Sequence, residues 1–127
     1  MPVDLHAHSR VSDGSDDPAA LVDLAVEAGL SALALTDHDT QEGVAIARTR
    51  ADEVGIELIP GTEISCGGSL HLGVLFLEPG TGPLQDQLEW IRTGRAERNA
   101  VMLERLASHG IHITPEELAE EAAQGIL

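Results

Sequence analysis

Short apolar runs alternate with longer stretches in which apolar residues recur every three or four positions, and this alternation sets the expected architecture. Val3 to His6 reads as a short buried strand. Asp17 is placed to cap the helix that follows, with Pro18 at its first position and Gly29 at its end. Leu21, Leu24, Ala25 and Ala28 fall at helical spacing and are expected to form its apolar face. Ala32 to Leu35 is a second apolar strand. Thr40 is positioned to cap a helix from about Gln41 to Val54, which Gly55 stops. Ile56 to Pro60 and Leu70 to Leu77 read as the third and fourth strands. The βαβαβ order predicts a parallel sheet with helices packed on it, because parallel strands need long crossovers.

Beyond Pro79 the pattern changes. Gly80, Gly82 and Pro83 make a turn, and a helical pattern runs from there to about Ser108. Leu84, Leu88, Ile91, Met102 and Leu106 mark its expected buried side, with Gly94 as a candidate interruption. Thr114-Pro115-Glu116-Glu117 is a capping box that opens a last helix, expected to end near Gly125. The expected division is residues 1–79 as an α/β portion and residues 80–127 as an all-helical segment.

Composition narrows the function classes. The 127 residues suit one domain, and 43% hydrophobic content is that of an ordinary globular protein. No apolar run is long enough to cross a bilayer, so no membrane is expected as a partner. The N-terminus has no basic segment followed by an apolar one, and Cys66 is the single cysteine, so a reducing cytoplasm is the expected compartment. There are 22 acidic residues against 7 basic ones, all Arg, for a net charge of −15. That argues against binding nucleic acid through a broad basic surface. It leaves room for an enzyme acting on phosphates, because bound cations can supply positive charge locally.

The chemistry gathers where predicted strands end. Asp4-Leu5-His6-Ala7-His8-Ser9 lies at the end of the first strand and Thr36-Asp37-His38-Asp39 at the end of the second. The third runs into Gly61-Thr62-Glu63, and the fourth carries His71 near its start. Histidine and carboxylate groups are the usual nitrogen and oxygen ligands of divalent transition metals. Residues two apart on a strand face one way, so His6 and His8 can grip a single ion. Glu63 has two oxygens and can bridge a pair of ions. Each group also has a plainer role open to it. Asp13-Gly14 fits a turn, Asp39 fits a helix cap, and His71 fits a hydrogen-bonded core histidine. His109 and His112 flank Gly110 at a helix end, where a cation complements the dipole. Arg92, Arg95 and Arg98 share a helix face that is either a phosphate-binding edge or a solvated face paired with nearby Glu.

The run DLHAHSRVSDGSDDPAALVDLAVEAGLSALALTDHDTQEGVAIA, with GIELIPGTEIS and LHLGVLF after it, resembles the PHP (polymerase and histidinol phosphatase) family. Within it the resemblance is to stand-alone phosphoesterases that dephosphorylate nucleoside 3′,5′-bisphosphates and trim short RNA from the 5′ end. It implies a distorted (β/α)7 barrel, here its N-terminal portion, with a helical insertion over the site. It also implies a centre of up to three metal ions, manganese, zinc or iron. In that likeness His6 and His8 ligate one ion, Glu63 bridges it to a second that His71 also binds, and Asp13 and His38 bind the third. Asp37 and Asp39 stand behind them and orient the histidines. Arg95 and Arg98, from the helix-face spacing and not from the likeness, are the candidate substrate-binding residues. The implied reaction is metal-assisted hydrolysis of a phosphate ester, nucleotide or short RNA.

Members of the family are longer and carry a later His and an Asp-x-His that complete the metal shells. On that comparison this chain is expected to be incomplete, with a homodimer that covers the open sheet edge as one way to finish the fold. Two other readings stand beside the phosphoesterase. One is a non-catalytic metal-binding or interaction remnant, and the other a polymerase-associated exonuclease domain.

Overall fold

The computed structural model describes residues 2–122. In chain order the elements are β1 (Val3–Ala7), α1 (Pro18–Glu27), β2 (Ala32–Leu35), α2 (Val44–Val54), β3 (Glu57–Ser65), β4 (His71–Leu75), α3 (Pro83–Ser108) and α4 (Pro115–Ala122). The four strands form one curled sheet in the order β1-β2-β3-β4. The first three run parallel, as expected, while β4 is antiparallel to β3. The reason lies in the connection. Residues 66–70 are too few for a parallel crossover, so the chain turns back on itself.

This return also lengthens β3 beyond the expected Pro60. Its first part, Glu57 to Pro60, pairs with β2, and its second part, Gly61 to Ser65, pairs with β4. Glycine stands at the change of partner because the neighbouring strands crowd it. A Cβ on Gly61 would lie 2.6 Å from the Val74 carbonyl oxygen and 3.1 Å from Thr36 Cγ2.

The core lies between the sheet and the first two helices. Leu33 and Leu35 of β2 pack with Val22, Ala25, Val44, Ala47, Ala51 and Ile56. The other face of the sheet is thinner, with Ala32, Ala34 and Ile59 against Leu75. Strand β1, expected to be buried, is an edge strand instead, and Val3 and Leu5 are 51% and 45% exposed. The buried face of α1 is Pro18, Val22 and Ala25, while Leu24 and Ala28 face outward. Helix α1 packs on α2 as well as on β2, which rolls its contact face away from the expected stripe.

Local signals fare well at the helix ends. Asp17 caps α1 by accepting from the Ala19 N–H at 3.1 Å. Gly55 ends α2 with φ at 77°. Helix α2 begins at Val44 rather than Gln41, because residues 41–43 form a turn in which Thr40 Oγ1 accepts from the Glu42 N–H. Helix α3 runs unbroken through Gly94, and a helical glycine costs only about 1 kcal/mol relative to alanine. Leu88 is its buried residue; Leu84, Ile91 and Leu106 are half-buried and Met102 is exposed. The capping box is formed, with Glu117 N–H donating to Thr114 Oγ1 at 3.1 Å and Thr114 N–H to Glu117 Oε2 at 2.8 Å. The expected end near Gly125 lies outside the described residues. His109 Nδ1 bonds the Arg105 carbonyl at 2.9 Å at the close of α3, the structural place expected for it. No helix among the described residues is long and apolar enough to cross a membrane.

Candidate metal centre

The parallel strands deliver their polar residues to one end of the sheet. His6 lies on β1 and His8 just beyond its end, so both rings turn the same way and their Nε2 atoms are 3.1 Å apart. Beyond β2, residue 38 forms a bridge with residue 63, which puts the His38 ring beside Glu63. His71 arrives because β4 is antiparallel. Its first residue pairs with Ser65, so its side chain reaches Glu63 from the far side.

The chain returns from β1 through a loop that brings in Asp13, and Asp37 holds that loop. The buried Asp37 carboxylate accepts from the Ser9 N–H at 2.7 Å, from Ser9 Oγ at 2.8 Å and from Ser12 Oγ at 2.8 Å. Gly14 is required for the loop's closeness. A Cβ there would stand 2.2 Å from the His8 carbonyl oxygen.

Three groups of side chains result, each with its ligand-type atoms within 4.8 Å of one another. They are His6, His8 and Glu63; His8, Asp13 and His38; and His38, Glu63 and His71. His8, His38 and Glu63 each belong to two of them. Glu63 Oε2 lies 2.9 Å from both His6 Nε2 and His8 Nε2, while its Oε1 lies 3.2 Å from His71 Nδ1. Asp13 Oδ1 is 2.6 Å from His8 Nδ1, and its Oδ2 is 3.4 Å from His38 Nε2.

The electrostatics follow from this crowding. Burial pushes the Glu63 carboxyl up, but the hydrogen bond to His6 and the charges of His38, His6 and His8 hold it below its ordinary value of 4.5. Burial likewise raises Asp13, and the His8 hydrogen bond with the His38 charge brings it net below 3.8. Two imidazole nitrogens 3.1 Å apart oppose their lone pairs unless a proton or a cation lies between them. The donor set of nitrogens and carboxylate oxygens suits a divalent transition metal, so these residues fit such a group.

The two other motif carboxylates have different work from that expected. Neither Asp37 nor Asp39 bonds a histidine among the described residues. Asp37 secures the Ser9–Ser12 loop as described. Asp39, with φ at 54°, accepts from the Ser65 N–H at 2.6 Å through Oδ1 and pairs with Arg95 at 2.7 Å through Oδ2. His38 Nδ1 is buried without a hydrogen-bond partner among the described residues. Ser9, Ser12 and Ser65 carry no ligand signature and escape the sequence reading. For Ser9 alone there is a signal, its place directly after the His-x-His.

Between this cluster and α3 lies a cavity of about 910 Å³. Asp13, His38 and His71 line one wall, and Trp90, Arg95 and Arg98 the other. The arginine face therefore divides. Arg92 pairs with Glu42 and Glu89, as a solvated face would. Arg95 turns inward to Asp39 and to Ser65 Oγ. Arg98 lines the cavity with no ion pair among the described residues.

A curled βα sheet with a histidine–carboxylate cluster able to hold metal at its strand ends defines a class of α/β proteins whose functional groups meet where parallel strands end. Residues 4–105 match the PHP domain, and the chain belongs to that family. It is 38% identical over 112 residues to a 3′,5′-nucleoside bisphosphate phosphatase of Chromobacterium violaceum, covering 86% of this chain and 39% of that protein. It is 41% identical over 112 residues to a 5′-3′ exoribonuclease of Haemophilus influenzae, covering 85% of this chain and 40% of the relative. A metal-dependent phosphoesterase structure from Bifidobacterium adolescentis superposes with a TM-score of 0.85 at 30% identity, over 98% of this chain and 46% of that one. The α/β half-barrel expected from the resemblance is thus the fold of the chain. The chain spans about 40% of the length of these curated relatives.

Proposed function

We propose that the protein hydrolyses phosphate esters of nucleotides or short oligonucleotides with divalent metal bound at the histidine–carboxylate cluster. One observation carries this reading. Glu63 presents Oε2 to His6 and His8 at 2.9 Å and Oε1 to His71 at 3.2 Å, the arrangement of a bridging carboxylate. The names of the relatives and the guanidinium groups across the cavity support it. The proposed division at residue 79 makes the described residues up to 79 the barrel portion and those from 80 to 122 a helical insertion over the site; the rest of the 1–79 and 80–127 segments lies outside the described residues.

In this reading His6, His8, Asp13, His38, Glu63 and His71 hold up to three ions of manganese, zinc or iron. When bound, such ions supply Lewis-acid charge for the phosphate oxygens and lower the pKa of water. Asp37 keeps the Asp13 loop closed, and Asp39 aims Arg95 at the cavity. Arg95 and Arg98 bind substrate by offering planar donors to a phosphate. The reading puts the protein in a reducing cytoplasm, where its single cysteine stays a thiol. A second copy laid along the open β1 edge is the proposed partner, and a monomer by light scattering at high concentration would exclude it.

Hydrolysis of a nucleoside 3′,5′-bisphosphate, abolished by chelator and restored by manganese, is the expected result. Activity that survives chelation refutes the metal-dependent mechanism. A second reading is a metal-binding module without turnover. Stoichiometric metal with no hydrolysis would select it.

A further inference from the structure

The α3 wall of the cavity carries more than positive charge. Trp90 is 71% exposed and is the only tryptophan of the chain. Among the described residues packing does not hold the indole, since an apolar ring left in water contributes little to the fold. Trp90, Gly94 and Arg98 are spaced i, i+4, i+8, so they form one stripe along the helix, and all three line the cavity. Gly94 lowers helix stability relative to alanine, yet a Cβ placed on it would meet no atom within 4 Å. Among the described residues neither packing nor a turn explains it. What it does is leave an open seat between an indole and a guanidinium, the two side-chain surfaces that stack on flat aromatic rings.

The cavity is also far larger than a phosphate needs, within the range that small-molecule ligands occupy. Arg95 and Arg98 stand beside the seat, on a chain whose net charge of −15 otherwise repels an anion.

We propose that Trp90 is a nucleobase platform, with Gly94 as the opening that admits the ring. The substrate is then a phosphate ester bearing an aromatic base, seated on Trp90 with a phosphate directed toward the histidine–carboxylate cluster. This inference rests on the phosphoesterase reading and adds the part of the substrate that does not react.

The chain has one tryptophan and no tyrosine, so its intrinsic fluorescence reports Trp90 alone. The experiment titrates the full chain, with manganese present, using non-hydrolysable phosphonate analogues of adenosine 3′,5′-bisphosphate and ribose 5-phosphate (named for their parent esters) and inorganic phosphate. Fluorescence and calorimetry are read together. Adenosine 3′,5′-bisphosphate is expected to quench the emission and the other two to leave it unchanged. Trp90→Ala should weaken adenosine 3′,5′-bisphosphate binding by roughly 5- to 150-fold, the range for loss of one stacked base, and leave ribose 5-phosphate unaffected. Trp90→Phe should restore most of the affinity, and Gly94→Leu should lower it by filling the seat. Equal calorimetric affinity for the nucleotide in parent and Trp90→Ala overturns the platform and spares the phosphoesterase reading. Failure of all three probes to bind the parent overturns both.

Discussion

The Asp39 carboxylate and the Arg95 guanidinium meet at 2.7 Å across the gap between the β2–α2 connection and helix α3. Asp39 is 1% exposed, and its other oxygen is already bonded to the Ser65 N–H. The pair thus ties the long helix to the sheet at the cavity's edge, close to the buried Leu88 and to the Arg92 ion pairs. Asp39→Asn should cost about 1–2 kcal/mol, a modest figure because the Arg95 side chain keeps contact with water. The larger effect is expected locally, as faster hydrogen exchange of α3 amides around Leu88 to Arg98. Unchanged exchange in α3 would show that the pair does not anchor it.

Asp37 accepts three hydrogen bonds from Ser9 and Ser12 while almost wholly buried. Asp37→Ala removes the acceptor and leaves buried donors without partners, at a cost of about 2–4 kcal/mol. The loop carrying Asp13 should then become sensitive to protease. Urea midpoints of the variant and the parent test the magnitude, and coincident midpoints would mean that the loop is held elsewhere.

Gly14 offers a steric counterpart in the same loop. Gly14→Ala places a methyl group 2.2 Å from the His8 carbonyl oxygen, so the loop must move away from β1. A fall in metal content with α1 and α2 still folded is the expected outcome, read by elemental analysis beside circular dichroism. Full metal content in the variant would show that Asp13 is not needed in that position.

Metal stoichiometry should depend on Glu63, because its two oxygens serve two of the three groups. Glu63→Gln keeps the shape and removes the charge. Elemental analysis of protein purified without chelator should show bound metal well below the parent's. An equal count in the two proteins would end the bridging role.

The same carboxylate sets a pH dependence in the metal-free chain. Its folded pKa lies below the unfolded 4.5, so its contribution to stability is present above that value. It is lost as pH falls through the lower, folded value. Asp13 acts in the same sense from 3.8 downward. The melting temperature of the parent should therefore exceed that of Glu63→Gln near neutral pH, with the gap narrowing below about pH 4.5. A gap that widens on acidification would reverse the sign and contradict the assignment.

What could be read from the chain itself is local. Asp17 with Pro18, Gly55, and Thr114 with Glu117 mark helix ends because a cap is a contact among residues within one turn. Ala32 to Leu35 is legible because four consecutive apolar residues between Gly29 and the polar Thr36-Asp37 are too few for a helix and suit a strand covered on both faces. The His-x-His spacing already places two rings on one side of β1, and the strand-end rule brings His38 and Glu63 to the same mouth.

Only the tertiary structure decided the rest. Leu70 to Leu77 has the same apolar pattern whichever way it pairs, and the short connection after Ser65 makes it antiparallel and delivers His71. Asp37 and Asp39 look alike in the motif, yet one holds the Ser9–Ser12 loop and the other takes Arg95 from a helix more than fifty residues further on. Arg92 and Arg95 share a helix face and part company over which acidic partner lies within reach. Backbone periodicity and caps depend on neighbours a few residues away, so the sequence by itself determined them. Pairing direction and ion partners depend on which surfaces packing brings together across the chain, and no local pattern encodes that.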